Sequence, residues 1–211
     1  MTQKSSLQLL ALHAVRVSGF ADTPVIARRF RLDPTETAEI LRDAKTHGWV
    51  AHTSFAGLEG WSLTGPGRTE NERQLATELA LTGRADQIRE IYRAFLPLNA
   101  RLQQACTNWQ LRPTPGDRLA ANNHTDTAWD TGVLAELASI NRALAPLARR
   151  LDDVLIRFTG YDARFAAALH RAQAGEHEWI DRTDIDSCHR VWFELHEDLI
   201  ATLGIDRGAG A

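Results

Sequence analysis

Two cysteines, Cys106 and Cys188, are all that the 211 residues contain. That is too few for a disulfide scaffold, and two thiols in a chain of this length point to a reducing compartment. No run approaches the roughly 18 apolar residues of a membrane span. Residues 7–15 come nearest to a leader, but Gln8 and His13 break them and Arg16 follows, so the expectation is a cytoplasmic protein without a membrane partner. An excess of one charge is also missing. A formal charge of −3 with 44% apolar and 24% charged residues excludes disorder as the main state and fits one large or two small globular domains. The chain has no Gly-x-Ser-x-Gly elbow, neither cysteine stands in a nucleophile context, and Asp152 and Asp153 are helical neighbours that point apart. The expectation is therefore no enzyme and no cofactor.

What is present has a readable order. Residues 1–75 hold nine basic and eight acidic groups, a net of +1, and the remainder nets −4. Residues 4–18 repeat apolar positions (Leu7, Leu10, Ala11, Ala14, Val15) at helical spacing up to Gly19. Thr23-Pro24 reads as an N-cap with proline at the first helical position, opening a short helix through Ile26 and Phe30. Asp33-Pro34-Thr35-Glu36 repeats that signal with Glu36 in capping-box position, and a helix over 35–46 follows. Two strand-like pieces, 49–53 and 60–63, flank a loop over 54–59 that contains Gly57. Thr64-Gly65-Pro66 then punctuates, and residues 68–81 return to a helical pattern. Three helices, two strands and a helix form the order of a winged helix-turn-helix.

The stretch HGWVAHTSFAGLEGWSLTGPGRTE resembles the wing of bacterial regulators of the MarR kind, in which a Leu-Thr, a short turn and a Gly-Arg close the wing; here these are Leu63, Thr64, Gly67 and Arg68. The resemblance covers about residues 5–80 and implies double-stranded DNA as partner. The helix near 35–45 would enter the major groove and the wing would touch the backbone. The residues it nominates are Thr35, Glu39, Arg42 and Lys45 on the reading helix, with Arg28, Arg29 and Arg31 as a backbone clamp. Against this stand the carboxylates Glu36, Glu39 and Asp43 on or near that helix and a wing tip, 54–59, without lysine or arginine. A winged helix that contacts a protein is the alternative.

The rest reads as helices: 87–109 with Pro97 inside, 126–158 with Pro146 expected to kink or split it, 163–174 and 184–203. The expected fold is mainly α, with a winged helix of three helices and a two-stranded wing over 1–82 and a helical bundle over 83–207. The bundle is expected to form a homodimer, to sense a small-molecule effector, or both. The stripe from Leu137 to Phe158 serves equally as an intersubunit seam or as intramolecular core. Polar candidates for the effector are Asn99, Trp109, Gln110, Asn123, His124 and Asp126 at one mouth, and His189, Trp192 and His196 on the last helix. His189 and His196 stand seven apart rather than three or four, so no metal site is expected. The segments IDSCHRVWFELHEDLIATLG, NARLQQACTNWQ and NNHTD are also similar to helical extensions of bacterial pyruvate phosphate dikinase-like proteins, a likeness that transfers no catalytic residue. The resulting expectation is a ligand-responsive transcriptional regulator, with a non-DNA-binding metabolic sensor or accessory protein as the alternative.

Overall fold

Ser6 opens the first helix, α1 (Leu7–Ser18), its hydroxyl accepting from the Leu9 N–H at 3.2 Å. Gly19 at φ +77° stops it, because the left-handed region is open to a residue without Cβ. The chain passes directly into β1 (Phe20–Ala21), a strand that the expected two-stranded wing did not contain. The cap of α2 (Thr23–Arg29) is Asp22, whose carboxylate accepts from the Val25 N–H at 2.9 Å. Thr23 is the first helical residue instead, and its hydroxyl accepts from the Trp61 indole at 2.9 Å. Asp33 caps α3 (Pro34–Thr46) by accepting from the N–H groups of Thr35 and Glu36, both at 2.9 Å.

The computed structural model describes residues 2–55 and 57–205, and for Phe55 the backbone alone; residue 56 of the expected wing loop and 206–207 of the expected bundle lie outside them. Strands β2 (Val50–Phe55) and β3 (Leu58–Leu63) pair antiparallel from Val50↔Leu63 out to Phe55↔Leu58. The expected loop over 54–59 is thus mostly ladder. Gly57 at φ +80° supplies the tight turn such a short connection needs. Strand β1 joins β3 on its other edge (Phe20↔Ser62, Ala21↔Trp61), giving a three-stranded antiparallel sheet of order β1-β3-β2. Leu12, Val15, Ile26, Leu41, Ala44, Val50 and Trp61 form the core beneath it.

The chain divides into two compact units: one of residues 1–88, 153–157 and 196–211, the other of 89–152 and 158–195. The first also holds α4 (Gly65–Thr82), capped by Thr64 and closed by Gly83 at φ +63°. Residues 153–157 belong there because Gln3 pairs with them: the Gln3 N–H donates to the Val154 carbonyl at 3.1 Å, and the Ile156 N–H to the Gln3 carbonyl at 3.2 Å.

The second unit carries most of α5 (Ala85–Gln110), then α6 (Thr127–Asp152), α7 (Tyr161–Gln173) and the N-terminal half of α8 (Cys188–Leu203). Helix α6 runs through Pro146 as one element, so of the expected kink or split the split does not occur. Pro146 is exposed, while Leu144 and Ala148 on either side are buried, so packing offsets the lost hydrogen bond. The helix ends at Asp152 rather than 158; a 3-10 turn, Ile156–Phe158, follows. Ser187 starts α8, its hydroxyl accepting from the Arg190 N–H at 3.1 Å. Mainly helical structure with one small antiparallel sheet is the fold class, and no helix among the described residues is long and apolar enough to cross a membrane.

Candidate functional site

Burial of Thr37, Leu41 and Ala44 fixes how α3 sits. At about 3.6 residues per turn, the opposite side presents Thr35, Glu39 and Arg42, with Lys45 further round, and all four are exposed. Arg28 at the end of α2 and Arg31 in the following turn are exposed as well, and Arg31 takes a left-handed φ of +56°. No carboxylate among the described residues pairs with Arg28, Arg31, Arg42 or Lys45. Other arginines of this unit are neutralised: Arg16 by Glu72 and Glu197, Arg68 by Glu197, and Arg73 by Glu70. Arg29 differs from its neighbours. It is half-buried, its guanidinium lies 4.5 Å over the Phe30 ring, and its charge is felt at the buried Asp198. It faces inward rather than joining the exposed set.

Asp198 belongs to a polar cluster inside the same unit. Arg157, on the 3-10 turn, pairs with Asp198, donates to Glu78 at 2.9 Å and to the Thr202 hydroxyl at 2.6 Å. His13 from α1 lies 3.0 Å from Asp198 through Nε2 and 3.2 Å from the Asn71 side-chain oxygen through Nδ1. His13, Asn71, Glu78, Arg157, Asp198 and Thr202 are all buried. Burial alone would raise the Asp198 pKa; the charges of Arg157 and His13 outweigh it and hold the carboxyl well below the usual range. The same carboxylates keep Arg157 firmly protonated although burial opposes its charge. This group is not legible in the sequence, where its members lie up to 189 positions apart. Its only visible trace is polar residues, such as His13 and Asn71, at inward helix positions.

In the second unit the loop after α5 brings two of the nominated residues together. His124, at φ +57°, lies tilted against Trp109 with centroids 4.3 Å apart. Its Nδ1 lies 3.0 Å from an Asp130 oxygen. The buried Asn122 amide donates to the Trp109 carbonyl at 3.0 Å and to the other Asp130 oxygen at 2.8 Å, and its side-chain oxygen accepts from the His124 backbone at 3.1 Å. His177 approaches Trp109 edge-on at 5.1 Å. Asn122, Asp130 and His177 were not among the nominated residues. The chemistry of the group is that of an imidazole set by a carboxylate, which fixes which ring nitrogen faces outward.

The other nominated residues are dispersed. Gln110 donates to Asp181 at 2.7 Å. Asp126 caps α6, accepting from Ala128 and Trp129, and pairs with Arg112, which together hold its pKa down. Asn123 accepts from Thr125. The Trp192 indole donates to Asn99 at 3.0 Å and stacks on Phe95 at 4.7 Å, so that pair is part of the core. His189 is half-buried in the second unit, whereas His196 falls in the first. Burial pushes both Cys106 and Cys188 thiols up to about 12, which leaves them unreactive. Among the described residues no three His, Cys, Asp or Glu side chains gather so as to hold a metal ion. Comparison with protein-family models, curated proteins and solved structures finds no match to the chain.

Proposed function

We propose that the protein is a DNA-binding transcriptional regulator: a MarR-like winged helix in the first unit, and a helical second unit that dimerises, senses a small-molecule effector, or both. The element order α1-β1-α2-α3-β2-β3 and the sheet order β1-β3-β2 support the winged-helix reading. The observation that carries DNA binding is the set of four exposed cations, Arg28, Arg31, Arg42 and Lys45, on and beside α3, with which no carboxylate among the described residues pairs. Exposed cations without internal partners are the groups that exchange counterions for phosphates. In this reading α3 lies in the major groove and the β2–β3 hairpin against the backbone. An effector held near Trp109, His124 and His177 would shift the population between DNA-competent and incompetent dimers.

The test is fluorescence anisotropy of the whole chain with a labelled random-duplex pool across a salt series. Binding should weaken steeply with salt. Arg42→Ala should reduce the log–log slope by about 0.9, the value of one phosphate contact, while Arg73→Ala, whose charge Glu70 already neutralises, should leave it unchanged. Absence of binding even at low salt overturns the proposal.

A second reading, in which the winged helix contacts a protein and the chain acts as a sensor or accessory, is favoured by the hairpin. Leu58 beside the turn is 66% exposed, Phe20 on the neighbouring strand 45%, and the described residues of β2 and β3 include no lysine or arginine.

A further inference from the structure

Three carboxylates stand on α3, and two have a place within the protein. Glu36 lies in the first turn, where the positive end of the helix dipole favours a negative charge. Asp43 lies near His47, whose ring nitrogen is 3.7 Å from its carboxylate. Glu39 has neither arrangement. It is exposed and, with about 3.6 residues per turn, stands directly opposite the buried Thr37–Leu41–Ala44 side. It is therefore at the middle of the surface that a groove would receive. Arg42 is three residues on, within reach for a helical ion pair, yet the two side chains make no pair and no other partner among the described residues holds either.

We infer that Glu39 is a specificity-determining residue that reads cytosine, and that Arg42 reads guanine close by. The inference rests on the DNA-binding reading above. A carboxylate at the centre of a DNA-facing helix repels phosphate and weakens binding to every sequence alike. The one base edge in the major groove that offsets this with an amino donor and no adjacent acceptor is cytosine N4, to which Asp and Glu side chains are suited. Arg42 presents a planar fork of donors to the O6 and N7 acceptors of guanine. Glu39 thus excludes other bases at its position, and its charge also lowers non-specific affinity. Both effects sharpen discrimination between the operator and bulk DNA.

The experiment is selection from a random-duplex pool by the full chain, followed by sequencing, for the wild type, Glu39→Gln and Glu39→Ala. Circular dichroism and thermal midpoints should match across the three, since the residue is exposed. The wild type should enrich a site with a fixed cytosine and a guanine nearby. Glu39→Gln should move the preference at the cytosine position towards adenine, whose N6 and N7 suit a carboxamide, and lower discrimination there by roughly tenfold. Glu39→Ala should leave that position unselected, and both variants should bind non-specific duplex more tightly. If both variants enrich the wild-type site with unchanged discrimination, the assignment of Glu39 is wrong while DNA binding stands. If the wild type binds no duplex, the DNA-binding reading itself falls, and the inference with it.

Discussion

Asp198 shows how one buried charge is made tolerable. It accepts from Thr202, pairs with Arg157 and faces His13, all inside the first unit. Removing one partner from such a group leaves the others buried and uncompensated, a change that costs about 3–5 kcal/mol. Against a typical total stability of about 5–15 kcal/mol, Asp198→Asn should produce a large fall in the urea midpoint. The pH dependence has a definite sign. Because folding lowers the Asp198 pKa, its contribution is complete above the unfolded value of about 3.9 and is lost as pH falls from there towards the folded value. Wild-type stability should thus decline on acidification below about pH 4 more steeply than that of Asp198→Asn. Parallel slopes in urea titrations at several acid pH values would show that the carboxylate is not held ionised by its neighbours.

At the scale of elements, the junction between the hairpin and α4 explains why Leu63, Thr64, Gly67 and Arg68 stand out in the sequence. The Thr64 hydroxyl donates to the Gly48 carbonyl at 2.6 Å and accepts from the Gly67 N–H at 3.0 Å, so one side chain ties the end of α3 to the start of α4. A Cβ on Gly67 would fall 1.8 Å from the Trp49 carbonyl oxygen, a backbone atom that cannot rotate away. Gly67→Ala should therefore cost well over the usual preference of helices for alanine, by about 3 kcal/mol or more, and should be visible as a lowered thermal midpoint. Gly65→Ala, with open space at that position, is the matched control, expected near neutral or stabilising. Signals of this kind, caps and glycines with a single geometric reason, are legible at Asp33 before α3 and Gly19 after α1; Thr64 reads only as punctuation, with the helix expected from 68 where α4 in fact starts at Gly65. Strand β1 is not legible, because two residues are too few to show a period of two. Asp22 was passed over for Thr23 since both are competent caps and only the Trp61 indole, 38 positions away, engages the threonine hydroxyl. In the second unit Trp109 and His124 are legible as candidates, but Asn122, Asp130 and His177 meet them only through tertiary folding.

At the scale of the molecule, the first unit is assembled from three separate stretches of chain, and its buried polar cluster draws on all three. His13 and Glu78 lie in the N-terminal stretch, Arg157 in the short middle one, and Asp198 and Thr202 in the last. Linear periodicity registers each helix but carries no record of which distant helix supplies its counter-charge, so residues 153–157 and 196–205 read as belonging with their sequence neighbours. The consequence is sharp for any attempt to isolate a DNA-binding piece. A chain ending at Leu195 keeps every nominated reading residue yet loses Asp198, Glu197 and Thr202. Arg157 then loses Asp198 and the Thr202 hydroxyl while keeping Glu78, and Arg16 and His13 each lose a carboxylate; Leu9 and Leu75 also lose Ala201 from their apolar cluster. Removing Asp198 takes a carboxylate from the buried Arg157, a change of the kind that costs about 3–5 kcal/mol, and the lost packing of Ala201 adds to it, a large part of a typical stability of about 5–15 kcal/mol. The truncated chain should lose the slow amide exchange of α1 and α4 and should not bind duplex DNA, even at low salt, under conditions where the full chain does. Native-like exchange protection of α1 and α4 in the truncated chain would mean that the buried cluster contributes little and that the N-terminal stretch folds without it.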